Sequence, residues 1–319
     1  MTLLYYDPIF LEHQTGAHPE RPFRLEQVWA HLRRTGLDAR CTRPVWQPAS
    51  REQLARVHDL DYVDALQAAA ERGGGRVEDD TVMSRRSFDV ACLAAGAVID
   101  AVERTVAGPQ RQALCLVRPP GHHALRDAPM GFCLLGNVAL GARHATAALG
   151  LNRVLIVDWD VHHGNGTQNT FWEDGQVAFL SIHRWPFYPG TGAANDTGSG
   201  RGLGLIRNLP VEMGTPPADF QAIFRRELED LASRVKPELV IVSAGFDAHR
   251  DDPVGSLGLE TEDFAPLSEA VLDVAEAYAG GRIVSVLEGG YNPGILAGCV
   301  ELHLQTLLGR APQTAKPAS

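Results

Sequence analysis

Short apolar runs rich in β-branched residues alternate along this chain with longer stretches whose apolar positions recur at helical spacing. The runs at 3–6, 113–117, 153–157, 177–183, 205–209, 239–244 and 283–287 read as strands. The stretches at 87–107, 138–149, 217–235, 261–279 and 293–308 read as helices. Thr261, followed by Glu262 and Asp263, predicts a helix start, because an N-cap oxygen and first-turn acids complement exposed amides. Alternating strands and helices predict a mainly parallel central sheet covered on both faces, a three-layer α/β/α fold.

No run of Pro, Ser or like charge divides the chain, and no internal repeat is visible, so residues 1–319 are expected to form one domain. Its core would span 1–308, with a polar, proline-containing tail over 309–319. Two glycine-rich pieces interrupt the pattern, Gly73-Gly74-Gly75 and residues 190–204. The second lacks the strand–GxGxxG–helix context of a dinucleotide fold and reads as a mobile surface loop.

Composition narrows the function classes. Hydrophobic residues make up 45% and charged residues 21%, enough to bury a large core. The formal charge of −10 argues against a nucleic-acid binder, which needs a basic patch, and is compatible with cationic substrates. No run approaches the roughly 18 to 20 apolar residues of a membrane span. The start, Met1-Thr2-Leu3-Leu4-Tyr5-Tyr6-Asp7, has no basic segment leading into an apolar one, so no secretory signal is expected. The five cysteines are odd in number, scattered and without a CxxC pair, which disfavours both disulfides and Cys-ligated zinc. A cytoplasmic location is the expectation.

The candidate chemistry lies where strands end. Four of the strand-like runs pass into reactive polar residues: Arg118-Pro119-Pro120-Gly121-His122-His123, Asp158-Trp159-Asp160-Val161-His162-His163, Gly245-Phe246-Asp247, and Glu288-Gly289-Gly290-Tyr291. Ligand sites of open parallel sheets form at the carboxyl ends of strands, so four such ends point to one site. Side chains two apart in extended chain share a face, which lets Asp158, Asp160 and His162 converge. Carboxylate oxygen and imidazole nitrogen suit a divalent metal such as zinc, and Asp247 can complete a set of three with room left for water and substrate. A lone Asp or His at a strand end is usually a cap or loop residue. Two carboxylates and an imidazole alternating after a buried strand are not, because unpaired buried charge costs several kcal/mol.

The motifs Arg118-Pro119-Pro120-Gly121-His122-His123-Ala124, Gly131-Phe132-Cys133, Asp158-Trp159-Asp160-Val161-His162-His163-Gly164-Asn165-Gly166, Ser243-Ala244-Gly245-Phe246-Asp247-Ala248 and Leu287-Glu288-Gly289-Gly290-Tyr291-Asn292 resemble the signatures of zinc-dependent histone deacetylases. The class II type and its bacterial amidohydrolase relatives fit best, and the resemblance runs from about His18 to Leu308. It implies the arginase/deacetylase fold and hydrolysis of the amide of an acylated lysine or a related acylated amine. It further implies one zinc ion per chain on Asp160, His162 and Asp247. By the same resemblance His123 is the general base, oriented by Asn165 where class I relatives carry Asp. His122 is its electrostatic partner, held by Asp158, and Tyr291 donates to the oxyanion. Asp80, with neighbouring Asp79 as the other candidate, Gly131, Phe132, Tyr188, Gly289 and Gly290 would meet the substrate. Tyr188 stands where many relatives have Phe, and Arg21 resembles an arginine that binds backbone carbonyls at the foot of the channel. Potassium is implied at Asp158, Asp160, His162, Ser181 and Ile182, and at a second site formed by Phe171, Asp174, Val177 and Leu205.

Three other readings bear on the same residues. An arginase-like ureohydrolase with two metals would carry a carboxylate at position 245, which is Gly245 here. A silent acyl-lysine binder would lack a ligand or the tyrosine, and none is missing. Polyamine-specific relatives place a glutamate at the rim where this chain has Val254 of Asp252-Pro253-Val254, so an acyl-lysine or generalist substrate is preferred over an acetylpolyamine.

Overall fold

The computed structural model describes residues 2–310. Seven strands form one sheet in the order β1 (Leu3–Tyr5), β4 (Gln112–Cys115), β9 (Ile283–Leu287), β8 (Leu239–Ala244), β5 (Val154–Asp158), β6 (Val177–Arg184) and β7 (Ile206–Val211). Every pairing in it is parallel. A hairpin outside it, β2 (Gly74–Arg76) with β3 (Val82–Ser84), falls where the sequence suggested only a glycine-rich break. With one three-residue strand per side, it carries too little periodic signal to be read in advance.

Helices cover both faces. One layer packs α1 (Pro22–Thr35), α9 (Pro293–Arg310), α8 (Phe264–Tyr278) and α7 (Pro217–Val235) side by side. The other packs α2 (Arg51–Leu54), α3 (Leu60–Glu71), α4 (Ser87–Ala107), α5 (Asn137–Ala147) and α6 (Asn165–Phe171). The three-layer α/β/α architecture is therefore as the alternation predicts, and α4 and α7 match their expected bounds. The central strands β5, β8 and β9 are buried along their whole length, as a sheet covered on both faces requires.

Some boundaries differ. Thr261 is not an N-cap: Glu260 takes that role, exchanging hydrogen bonds with Asp263 in a capping box, and Thr261 opens a single 3-10 turn before α8. α9 continues through Gly309 and Arg310, and the rest of the expected tail lies outside the described residues. The 190–204 segment is a loop, but one fastened to the fold. His163 Nδ1 lies 2.8 Å from Thr191 Oγ1, His183 Nε2 lies 3.0 Å from the Gly192 carbonyl, and Asn208 donates to the Asp196 carbonyl.

α1 was not singled out in the sequence, yet its terminal signals are plain. Pro22 occupies the first turn, Gly36 ends the helix in the left-handed region at φ 72°, and Leu25, Val28 and Leu32 form a buried stripe. On the same helix Arg24 is buried and joins Glu20 and Arg118 in a water-excluded ion cluster. Glu20 accepts from the Arg118 guanidinium through both carboxylate oxygens, and Arg24 Nη1 donates to it at 3.1 Å. Burial pushes the Glu20 carboxyl up, but Arg118 outweighs it and holds the group well below the usual carboxylate range.

The Glu20 carboxylate thus joins the segment leading to His122 and His123 with the helix that reaches residues 288–290. Glu20→Ala leaves two arginines uncompensated and is expected to lower unfolding free energy by about 3–5 kcal/mol. Urea denaturation measures this; a loss below about 1 kcal/mol would remove the cluster from the account of stability.

Candidate active site

The four strand ends that carry reactive residues belong to β4, β9, β8 and β5, which are consecutive in the sheet. Their loops consequently open onto one place, the floor of a cavity of about 210 Å³ lined by Asp80, His123, Gly131, Phe132, His162, Phe187, Tyr188, Val254 and Tyr291.

Beneath it, one ligand atom from each of Asp160, His162 and Asp247 lies within 4.8 Å of the others, and all three residues are buried. Backbone donors aim the carboxylates. Asp160 accepts from the His162 amide at 3.0 Å and the Gly289 amide at 2.8 Å, and Asp247 Oδ1 accepts from the Val161 amide at 2.9 Å. Asp247 Oδ2 is buried with no backbone donor among the described residues, and the His162 ring is beside it: His162 Nδ1 is 3.1 Å from both that oxygen and Asp160 Oδ1. Burial pushes the His162 ring down, but the two carboxylates outweigh it and raise the ring to about 10. A site that draws positive charge this strongly, with a buried carboxylate oxygen that no amide satisfies, fits a divalent cation.

The cradle also depends on two residues without side chains. A Cβ on Gly289 would stand 2.1 Å from Asp247 Oδ2 and 2.5 Å from Asp160 Oδ2, and one on Gly245 would stand 2.2 Å from Asp160 Oδ2. The carboxylate at position 245 that a two-metal ureohydrolase requires has no room in this backbone.

Two histidines sit side by side with ring centroids 3.9 Å apart. His122 Nδ1–H donates to Asp158 Oδ2 at 3.0 Å, and His123 Nδ1–H donates to Asn165 Oδ1 at 2.7 Å, which leaves His123 Nε2 with its lone pair. Asn165 is fixed in turn by its Nδ2 donating to Met130 Sδ at 3.2 Å.

Burial acts against charge on both rings. At His122 the Asp160 and Asp158 carboxylates overcome it and raise the ring to about 10, so it is imidazolium at neutral pH. At His123 burial is reinforced by the positive charge of His122 and His162, and the ring is held well below its ordinary value, hence neutral. Behind the pair, Glu288 accepts from the Gly121 amide at 2.7 Å and the His122 amide at 3.3 Å.

The Tyr291 phenol is raised well above its ordinary value by burial, against the Arg24 charge, and is therefore a proton donor at neutral pH. Its ring meets Phe132 edge to face at 5.6 Å and lies beneath the Arg24 guanidinium at 4.8 Å.

The arginine at the foot of the channel is Arg24, not Arg21. Arg24 Nε donates to the Gly290 carbonyl and Nη2 to the Glu288 carbonyl, each at 2.6 Å, whereas Arg21 is exposed before α1 and lies over Phe23. Arg21, the N-cap, has extended backbone and stands outside the helix's periodicity, while Arg24 lies within it beside Leu25 and a turn before Val28. Gly289 and Gly290 are not among the residues lining the cavity; they pack under the carboxylates and against Arg24. Asp80 lines the mouth and Asp79 is exposed. Tyr188 lines the wall, with its hydroxyl buried.

The sequence reading missed Phe187, whose ring stacks on His162 at 5.1 Å and 16°. Its only signal was adjacency to Tyr188. For the expected potassium positions, Asp158 is paired with Ser181 across β5 and β6, next to Ile182. Asp174 accepts from the Gln176 and Val177 amides, the Phe171 carbonyl accepts from the Asp174 amide, and the Leu205 carbonyl from the Phe179 amide.

The sheet and its strand-end loops define a three-layer α/β protein with a cavity at the strand ends, and the family match makes it a hydrolase acting on amide bonds. A histone deacetylase domain matches residues 18–307, and the chain belongs to the histone deacetylase family. It is 37% identical to the histone deacetylase-like amidohydrolase of Pseudomonas aeruginosa, over 97% of this chain and 86% of that protein. It is 41% identical to the polyamine deacetylase HDAC10 of Homo sapiens over 93% of its length, spanning 46% of that longer protein. The crystal structure of the HDA15 HD domain aligns with a TM-score of 0.92 at 36% identity, covering 99% of this chain and 90% of that one.

The asymmetry between the histidines generates a pH prediction. Asn165→Asp places a carboxylate against His123 and favours its imidazolium, raising the ring's pKa by about one unit or more. A base that must be neutral then fails at a higher pH, so the acid limb of kcat/KM should move upward. An unchanged pH–rate profile would contradict the neutral-base assignment.

Proposed function

We propose that this chain is a zinc-dependent deacylase that hydrolyses the amide of an N-acylated lysine or closely related acylated amine. The observation that carries the reading is the convergence of Asp160, His162 and Asp247 with a neutral histidine, a charged histidine and a phenol at the floor of one aromatic-walled cavity. The residues Asp160, His162 and Asp247 would hold the metal. Zinc bound there supplies Lewis acidity, polarising an acyl carbonyl and lowering the pKa of water toward about 7.

The chain's own groups account for the rest. His123 Nε2 accepts the proton of the attacking water and returns it to the departing amine. His122, kept charged by Asp158, holds the His123 ring neutral and stabilises negative charge as it develops. The Tyr291 hydroxyl donates to the oxyanion, a contact stronger in the transition state than in the ground state. Phe132, Phe187 and Tyr188 offer an apolar wall for an aliphatic stem, and Asp80 at the mouth can accept N–H groups from the flanking peptide.

An acylated polyamine is the competing substrate, since one relative is named as a polyamine deacetylase. Val254 at the rim offers no charge to a distant ammonium, which favours acyl-lysine. The potassium positions given by the family resemblance are proposed as structural sites.

Tyr291→Phe is expected to lower kcat by about 10²–10³-fold with metal content unchanged, and full activity would contradict the oxyanion role. Asp247→Ala should lose metal and activity together; stoichiometric metal retained in that variant would refute its place among the ligands. Across a panel of acyl-lysine peptides and acetylpolyamines, kcat/KM should favour the peptides, and the reverse order would transfer the assignment to polyamines.

A further inference from the structure

Asp252 is buried, with only 8% of its surface exposed, and among the described residues no arginine, lysine or histidine donates to its carboxylate. Three backbone amides satisfy it instead. Tyr291 N–H donates to Oδ2 at 2.6 Å, and Val254 and Gly255 N–H both donate to Oδ1 at 2.9 Å. A buried carboxylate without a cation is costly, so its place here calls for a reason.

What it joins supplies one. On one oxygen hangs the main chain of the phenol donor; on the other hangs the rim segment whose Val254 lines the cavity mouth. That rim is closed at both ends. The Asp247 carbonyl accepts from the Ser256 amide at 2.7 Å, so the segment starts at a ligand residue and returns to it. From the far side, Arg184 Nη1 donates to the Gly255 carbonyl at 3.1 Å, and its guanidinium lies 4.0 Å from the centre of the Phe187 ring, which stacks on His162.

We propose that Asp252 is a positioning residue for the hydrolytic reaction: its carboxylate clamps the backbone of Tyr291 to the rim segment at Val254, setting where the phenol stands over the cavity floor. This rests on the deacylase reading for the phenol's role, while the clamp itself is a statement about the fold. Charge-assisted bonds from amide to carboxylate are about twice as strong as neutral ones, and the two oxygens bind different segments. Movement at the rim is therefore passed to Tyr291. Asn cannot replace Asp here, because one of its two terminal atoms is a donor and would face an N–H.

The test combines hydrogen exchange with a double-mutant cycle. In the wild-type protein the Tyr291 amide, though outside any helix or strand, should exchange as slowly as amides of β9; rapid exchange overturns the clamp whether or not any variant folds. Asp252→Asn should accelerate that amide and lower kcat by roughly 10- to 100-fold with metal content unchanged. In the Tyr291→Phe background the same substitution should cost less than about threefold, because its effect runs through the phenol. Equal losses in both backgrounds, or wild-type kcat in Asp252→Asn, overturn the proposal. A wild-type protein inactive on every acylamine but with a protected Tyr291 amide would remove the deacylase reading and leave the clamp standing.

Discussion

Two carboxylates and an imidazole facing one another inside a protein call for positive charge among them, and much of this structure is arranged around that constraint. Asp160, His162 and Asp247 come from adjacent strand ends, and backbone amides fix which carboxylate oxygen each presents. The constraint reaches the glycines: a methyl group at 245 or 289 would enter the space of the ligand oxygens.

The surrounding charges follow from the same cluster of acids. Asp158 and Asp160 keep His122 protonated, and that charge, with burial, keeps His123 neutral. Neighbouring imidazoles acquire opposite protonation states because one is offered a carboxylate and the other an amide. Farther out, Glu20, Arg24 and Arg118 form a buried lattice from α1 to the histidine loop and to the Gly289-Gly290-Tyr291 turn. The segments that follow β4 and β9 are thereby held by one charge network as well as by the sheet.

Much of this was legible in the sequence, for identifiable reasons. Strands buried on both faces are continuous apolar runs, and the seven runs are the seven strands of the sheet to within a residue or two. Asp158, Asp160 and His162 do gather, though not by strand periodicity: β5 ends at Asp158 and the chain bends through 160–162, with Asp158 Oδ1 accepting from the Asp160 amide and Asp160 Oδ1 from the His162 amide. What depends on tertiary packing was not legible. Arg24 and Arg21 are indistinguishable as residue types, and only the buried stripe of α1, which went unread, separates them. Phe187 and Asp252 matter through partners distant in sequence, His162 and Tyr291, which no local pattern encodes. The 190–204 segment looked unconstrained because its anchors, His163, His183 and Asn208, lie outside it.

The central claim concerns a single cation, and titrating zinc into metal-free protein while following amide hydrolysis of an acetyl-lysine peptide tests it most directly. Activity should rise linearly and level off at one equivalent per chain. Saturation at two equivalents, or hydrolysis that does not depend on added metal, would contradict a mononuclear centre on Asp160, His162 and Asp247.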